Sequence, residues 1–120
     1  MRLLLASLIA ILIAACSENA ETPYKSTMDT IERQVQLPIG AAPLDEYARY
    51  YAADDNEIVA IYISLVDPAN PYYDLPRGQR RWLADHRKLP LINDGGCSVV
   101  CIRYNPATGK TDIPVCNGDA

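Results

Sequence analysis

The chain has 120 residues, with 11 lysines and arginines against 15 acids, one histidine and a net charge of −4 at pH 7. That length suits one small domain and is too short for two. An acidic balance argues against general nucleic-acid binding, which needs basic surface to displace counterions.

Arg2 supplies a positive start, and Leu3 to Ala15 is apolar throughout apart from Ser7. As a helix these 13 residues span about 20 Å at about 1.5 Å each. A bilayer core needs about 30 Å, so the run suits the hydrophobic region of a signal peptide better than a membrane span. No second apolar run in the sequence is long enough to cross a membrane.

The run ends in Ile13-Ala14-Ala15-Cys16: an aliphatic residue, two small ones, then cysteine. This segment resembles the lipobox of bacterial lipoproteins, and the resemblance covers residues 1–16 only. It implies that the Cys16 thiol takes a diacylglycerol, that the peptide is cut before Cys16, and that the new amine is acylated. Two or three acyl chains anchor stably, whereas one gives only marginal binding. Ser17 stands where an aspartate would resemble inner-membrane retention, so the outer membrane is favoured over the inner in a Gram-negative cell. The expected organisation is a signal peptide over 1–15, a lipidated Cys16 with a flexible tether to 26, and one globular α+β domain over 27–120. Removing residues 1–15 takes away one base, Arg2, and no acid, leaving 105 residues that carry −5.

Along the mature chain, Ser17 to Ser26 is polar and short of aliphatics, as a tether would be. Thr27 to Leu37 is open between two readings. Ile31, Arg33, Val35 and Leu37 alternate like a strand, while Met28, Ile31 and Val35 would share a helical face. Leu37 precedes Pro38 and is extended in either case. Pro43 to Ala53 reads as a helix. Proline suits the first position, Asp45 and Glu46 suit the positive first turn, and Leu44, Tyr47, Ala48 and Tyr51 form one stripe.

Asp54-Asp55-Asn56 then breaks the chain, and Glu57 to Val66 is nearly continuous, β-branched apolar sequence. It predicts a central strand covered on both faces, stopped by Pro68 and Pro71. Arg80 to Lys88 predicts a short helix with Trp82 and Leu83 inward. Arg77, Arg80, Arg81, Arg87 and Lys88 have only Asp85 beside them. They form a candidate face for an anionic envelope component, such as lipid phosphate or an acidic protein patch. The alternative is that these arginines pair with acids across the domain.

Cys97 to Tyr104 and Lys110 to Cys116 predict a hairpin around the turn chemistry of Asn105-Pro106-Ala107-Thr108-Gly109. Val100, Ile102 and Tyr104 would meet Ile113 and Val115 on one face. Cys97, Val99, Cys101 and Arg103 would share the other. If Tyr104 faces Gly109, Cys97 lies opposite Cys116. If Asn105 faces Lys110, Cys116 is diagonal to both Cys97 and Cys101. With Cys16 acylated, the favoured pairing is Cys97–Cys116, which leaves Cys101 a free thiol.

The fold expected is α+β: a small antiparallel sheet with a C-terminal disulfide-braced β-hairpin, packed by one or two helices, the Pro43 helix among them. No spacing in the sequence matches a metal cluster, a phosphate loop or a serine-nucleophile elbow, so no cofactor, metal or nucleic acid is implied. The leading functional reading is a non-enzymatic lipid-anchored protein that binds or supports an envelope component. A second is an inhibitor-like or accessory module presenting the loop from Pro68 to Gly78 or the hairpin turn. A third is a thiol enzyme using Cys101 with His86, the only histidine. The sequence leaves the oligomeric state open.

Overall fold

The computed structural model describes residues 22–118; the expected signal segment, Cys16 and the first part of the expected tether lie outside the described residues. The architecture is α+β, with one α-helix and a six-stranded sheet among the described residues. In chain order the elements are helix α1 (Lys25–Gln34) and strands β1 (Ala48–Asp54), β2 (Glu57–Ile63), β3 (Arg80–Leu83), β4 (Gly96–Asn105), β5 (Lys110–Thr111) and β6 (Val115–Asn117). The strand order is β3-β1-β2-β4-β5, with β6 also on β4. Every pairing is antiparallel except β1 with β3, so the sheet is mixed and not purely antiparallel.

The ambiguous Thr27 stretch is helical. Met28 and Ile31 are fully buried on one face of α1, and Lys25 and Asp29 form an i,i+4 pair at 2.8 Å. The helix begins inside the expected tether, after a single 3₁₀ turn over Thr22–Tyr24.

The predicted Pro43 helix is corrected to a strand. Its start signals act for one 3₁₀ turn, Leu44–Glu46, and β1 follows. The error has a physical source. Residues four apart share a face in a strand as well as in a helix, so Tyr47 and Tyr51 point to one core under either reading. The discriminating pair is Tyr50 and Tyr51, adjacent and both fully buried. Opposite faces of a strand bury both; one helical stripe does not.

Arg80 to Lys88 is likewise corrected. It forms β3 and then a 3₁₀ turn over His86–Lys88, which Asp85 caps by accepting from the Arg87 amide at 2.9 Å. Trp82 and Leu83 both point to apolar surroundings, but on opposite faces of the sheet. The Glu57 strand ends at Ile63, and both of its faces are covered as expected. Ile58, Ala60 and Tyr62 lie on the helix face, with Ile61 and Ile63 on the other.

Two cores result. On the helix face, Met28 and Ile31 pack with Tyr47, Tyr51, Tyr62, Val100 and Ile102. On the loop face, Ala48, Tyr50, Ile61, Ile63 and Val99 are covered by Leu75, Tyr73, Leu89 and Ile92 from the segments flanking β3. The buried tyrosines find the partners their hydroxyls need. Tyr47 Oη donates to the Cys97 carbonyl at 2.6 Å and accepts from the Ala42 amide at 3.0 Å. Tyr50 Oη accepts from the Leu75 amide at 2.9 Å. Among the described residues no buried side-chain nitrogen or oxygen lacks a hydrogen bond.

The hairpin opens in the register that pairs Asn105 with Lys110, then slips. Beyond Asp112–Pro114, Val115 pairs with Cys101 and Cys116 with Val100. A slip of one residue exchanges the faces of every side chain. Ile113 and Val115 therefore do not meet Val100 and Ile102; they are 89% and 58% exposed. The helix face of β4 is covered by α1 instead, and Gln34 Nε2 donates to the Gly109 carbonyl at 2.7 Å.

Candidate functional site

The Cys97–Cys116 disulfide is formed, with Cα atoms 4.5 Å apart. The ladder allows it through an irregularity in β4: Gly96 pairs with Asn117, and the next partner pair is Val100 with Cys116. The extra β4 residues move the ladder from the opening register, in which Cys116 would be only diagonal to Cys97, to the Gly96–Asn117 register, in which the two lie opposite. Such a bond persists in oxidising, extracytoplasmic compartments. Cys101 is the free cysteine among the described residues. It packs against the loop-face core, whereas Cys116 pairs with Val100 of the helix-face core. The free thiol and the disulfide therefore lie on opposite faces of the sheet, and burial pushes the Cys101 thiol up from its ordinary value.

The structure does not bring Cys101 to His86. Cys101 aligns with Ile61, while Asp54, which lies 3.7 Å from His86 Nε2, aligns with Glu57. At about 3.3 Å per residue and about 4.8 Å per strand, the Cα atoms of Cys101 and Asp54 are about 16 Å apart, which leaves thiol and imidazole outside hydrogen-bond reach. Among the described residues no group of three or more His, Cys, Asp or Glu side chains is placed to hold a metal ion. No helix among them is long and apolar enough to cross a membrane.

The five basic residues singled out in the sequence divide. Arg80 points to the helix face, where its guanidinium meets Asp29 at 2.8 Å and Glu32 at 3.0 Å and is largely buried. Arg77 donates from Nε to the Ser64 carbonyl at 2.8 Å. Arg81, Arg87 and Lys88 come together around Tyr72. Arg81 and Lys88 line a cleft of about 290 Å³ with Tyr50, Pro71, Tyr72 and Leu83. Arg87 lines an adjoining cleft of about 400 Å³ with Asn70, Tyr72, Tyr73, Leu89 and Leu91. Tyr72 is the wall between them, 60% exposed, and Leu91 is 90% exposed on the outer rim.

The sheet and one pinned loop position this face. Strand alternation sends Arg81 and Leu83 to the loop side while Arg80 and Trp82 go to the helix side. The loop between β2 and β3 is fixed by local bonds. Asp67 Oδ1 accepts from the Ala69 amide at 3.0 Å, and Asn70 Oδ1 accepts from the Tyr72 amide at 3.0 Å. At its far end Gly78 has φ +82°, and a Cβ there would stand 3.2 Å from the Asp45 carbonyl, so glycine alone fits comfortably.

Arg81 meets Asp74 at 3.1 Å, and Arg87 meets Asp85 at 3.0 Å, with the Arg87 Nε donating to the same carboxylate. The guanidinium and amide of Arg87 hold the Asp85 carboxyl down at about 2. The Arg87 guanidinium is exposed and the Arg81–Asp74 pair is half-exposed, and such surface pairs are weak enough for another anion to compete.

Leu91 escapes a reading of the sequence, and Tyr72 and Asp74 are reached only as part of the loop from Pro68 to Gly78, since each lies in a segment with no periodicity. The Asp-Pro and Asn-Pro pairs beside Tyr72 mark a turn without showing what the turn is folded against. A separate cleft of about 370 Å³ is lined by Asp54, Asp55, Asn56, Glu57, Arg103 and Asn105, where Arg103 pairs with Glu57 at 2.9 Å. No protein-family profile, no curated protein and no solved structure matches the chain.

Proposed function

We propose that the protein is a lipid-anchored component of the bacterial envelope that binds or supports another envelope component without catalysing a reaction. The observation that carries this reading is the Ile13-Ala14-Ala15-Cys16 pattern behind a short apolar run. The Cys97–Cys116 disulfide agrees with it, because an anchored domain of this kind folds in an oxidising compartment. The open clefts around Tyr72, with Arg81, Arg87 and Lys88, support binding of an anionic partner over sequestered chemistry. Mass spectrometry of the chain extracted from membranes tests the anchor. The expected mass is that of residues 16–120 plus a diacylglyceryl group, with or without a third acyl chain on the amine, less two hydrogens for the disulfide. A chain that retains residues 1–15 and carries no acyl group sinks the reading.

A second reading, an inhibitor-like or accessory module, is favoured by one observation. The loop that carries Tyr72 is held rigid by the bonds of Asp67, Asn70, Tyr50 and Arg77. A loop ordered before binding avoids the entropy of ordering on contact. Assays against envelope hydrolases separate the two. Inhibition that disappears in Tyr72→Ala supports the module, and its absence across hydrolase classes leaves the first reading.

A further inference from the structure

Three features of the structure converge on the edge of the sheet at β3. The first is the point where the tether joins the domain. Tyr24 lies flat on Trp82, with ring centroids 4.0 Å apart and planes within 3°. Trp82 is the neighbour of Arg81 on β3, and β3 is the outermost strand on that side of the sheet. The second is reach. Six residue steps separate Cys16 from Thr22, and at no more than about 3.6 Å each they span at most about 22 Å. If Cys16 carries the lipid, the β3 edge lies within that reach of the bilayer. The third is chemistry. Arg81, Lys88 and Arg87 surround Tyr72, with Leu91 exposed beside it.

We propose that the face formed by Arg81, Lys88, Arg87, Tyr72 and Leu91 docks on the anionic phosphate headgroups of the leaflet to which the chain is tethered. This inference rests on the anchored reading above. Guanidinium groups bind phosphate through paired N–H donors, and the surface pairs of Arg81 with Asp74 (half-exposed) and Arg87 with Asp85 are weak enough to yield to it. Tyrosine is an amphipathic ring that settles at headgroup depth. Leu91 supplies apolar area beside it. Counting Asp74 and Asp85, the net positive charge of this face is small, so free in solution it would bind weakly. A short tether supplies a local concentration in the millimolar range, at which weak contacts suffice.

The test uses the full acylated chain in phosphatidylcholine vesicles with and without phosphatidylglycerol, followed by flotation and by hydrogen exchange. The expected result is flotation in both, with exchange of amides 72–73 and 81–91 slowed about tenfold only where phosphatidylglycerol is present. That protection is lost in Arg81→Gln/Lys88→Gln and, independently, in Tyr72→Ser. Flotation without protection overturns the docking face and leaves the anchor standing. Equal protection in both vesicles overturns the role of anionic headgroups. Protection by inorganic phosphate in neutral vesicles marks a pocket for a soluble anion and overturns the membrane assignment. Flotation of Cys16→Ser with neutral vesicles overturns the anchored reading itself.

Discussion

Tyr51 is the residue on which the helix-face core turns. Its hydroxyl donates to Glu32 Oε1 at 2.8 Å and lies 2.7 Å from the Tyr62 hydroxyl. Burial pushes both tyrosines well above the ordinary value of 10.0. The sign of the linkage follows. Above pH 10.0 the unfolded chain loses these protons and the folded chain keeps them. Stability is therefore full below that value and falls as pH rises, by about 1.4 kcal/mol per pH unit for each tyrosine. Urea unfolding at several alkaline pH values checks this, and Tyr51→Phe is expected to make the slope shallower. At the opposite extreme, Asp85 is expected to titrate at about 2. NMR titration of its carboxyl carbon should show the midpoint moving part of the way up towards 3.8 in Arg87→Ala, because the guanidinium is gone while the amide of residue 87 still donates.

At the scale of elements, α1 is held to the sheet by more than its apolar stripe. Glu32 sits between Arg49, whose Nε donates to it at 2.7 Å, and Arg80 at 3.0 Å; all three side chains are largely buried. Removing one partner of such a group leaves a buried charge short of its compensation. Arg49→Ala is expected to destabilise the fold by about 3 kcal/mol, read as a lower denaturant midpoint. Arg80 remaining on Glu32 keeps the loss from being larger. The hairpin is held differently. Its ladder is broken by Asp112–Pro114 and by the irregularity before Val100, so the disulfide does what continuous pairing would otherwise do. Cys97→Ser/Cys116→Ser should cost about 3 kcal/mol in the chain-entropy picture, again measured by chemical denaturation.

Across the whole molecule, the sheet keeps two chemistries apart. One face carries α1, the disulfide and the Arg49–Glu32–Arg80 network; the other carries Cys101 and the loops that build the basic clefts. The partly buried Cys101 thiol, pushed up by desolvation, should react with a thiol reagent about tenfold more slowly in the native chain than after unfolding. Native and unfolded labelling rates, compared at neutral pH, decide this. Fast native labelling would restore the thiol to consideration as a reactive group.

Much of this layout was legible before the structure. The Glu57 strand announced itself because a β-branched run buried on both faces has no other economical conformation. The hairpin was marked by its turn residues, and Cys97–Cys116 was favoured because the Gly95-Gly96 lead-in lets that strand end adjust. Other parts were not legible, for definite reasons. The Tyr47–Tyr51 spacing satisfies helix and strand alike, and the choice was made by β2 and β3 supplying hydrogen bonds on both edges of β1. Ile113 and Val115 were misplaced because a one-residue slip between Thr111 and Val115 is invisible in the pattern and reverses the faces.

The sequence by itself determined the α+β class, the central strand and the expectation of a lipid anchor at Cys16, and it favoured the cysteine pairing that the irregular ladder then realised. These rest on local chemistry: composition, periodicity, turn residues and a four-residue motif. Only the tertiary structure decided which of the basic residues stand together. Arg80 and Arg81 are neighbours in sequence, yet strand alternation puts one into a buried network and leaves the other on a cleft with Lys88 and Tyr72. That separation depends on β3 lying beside β1, a contact between distant segments that no local pattern encodes.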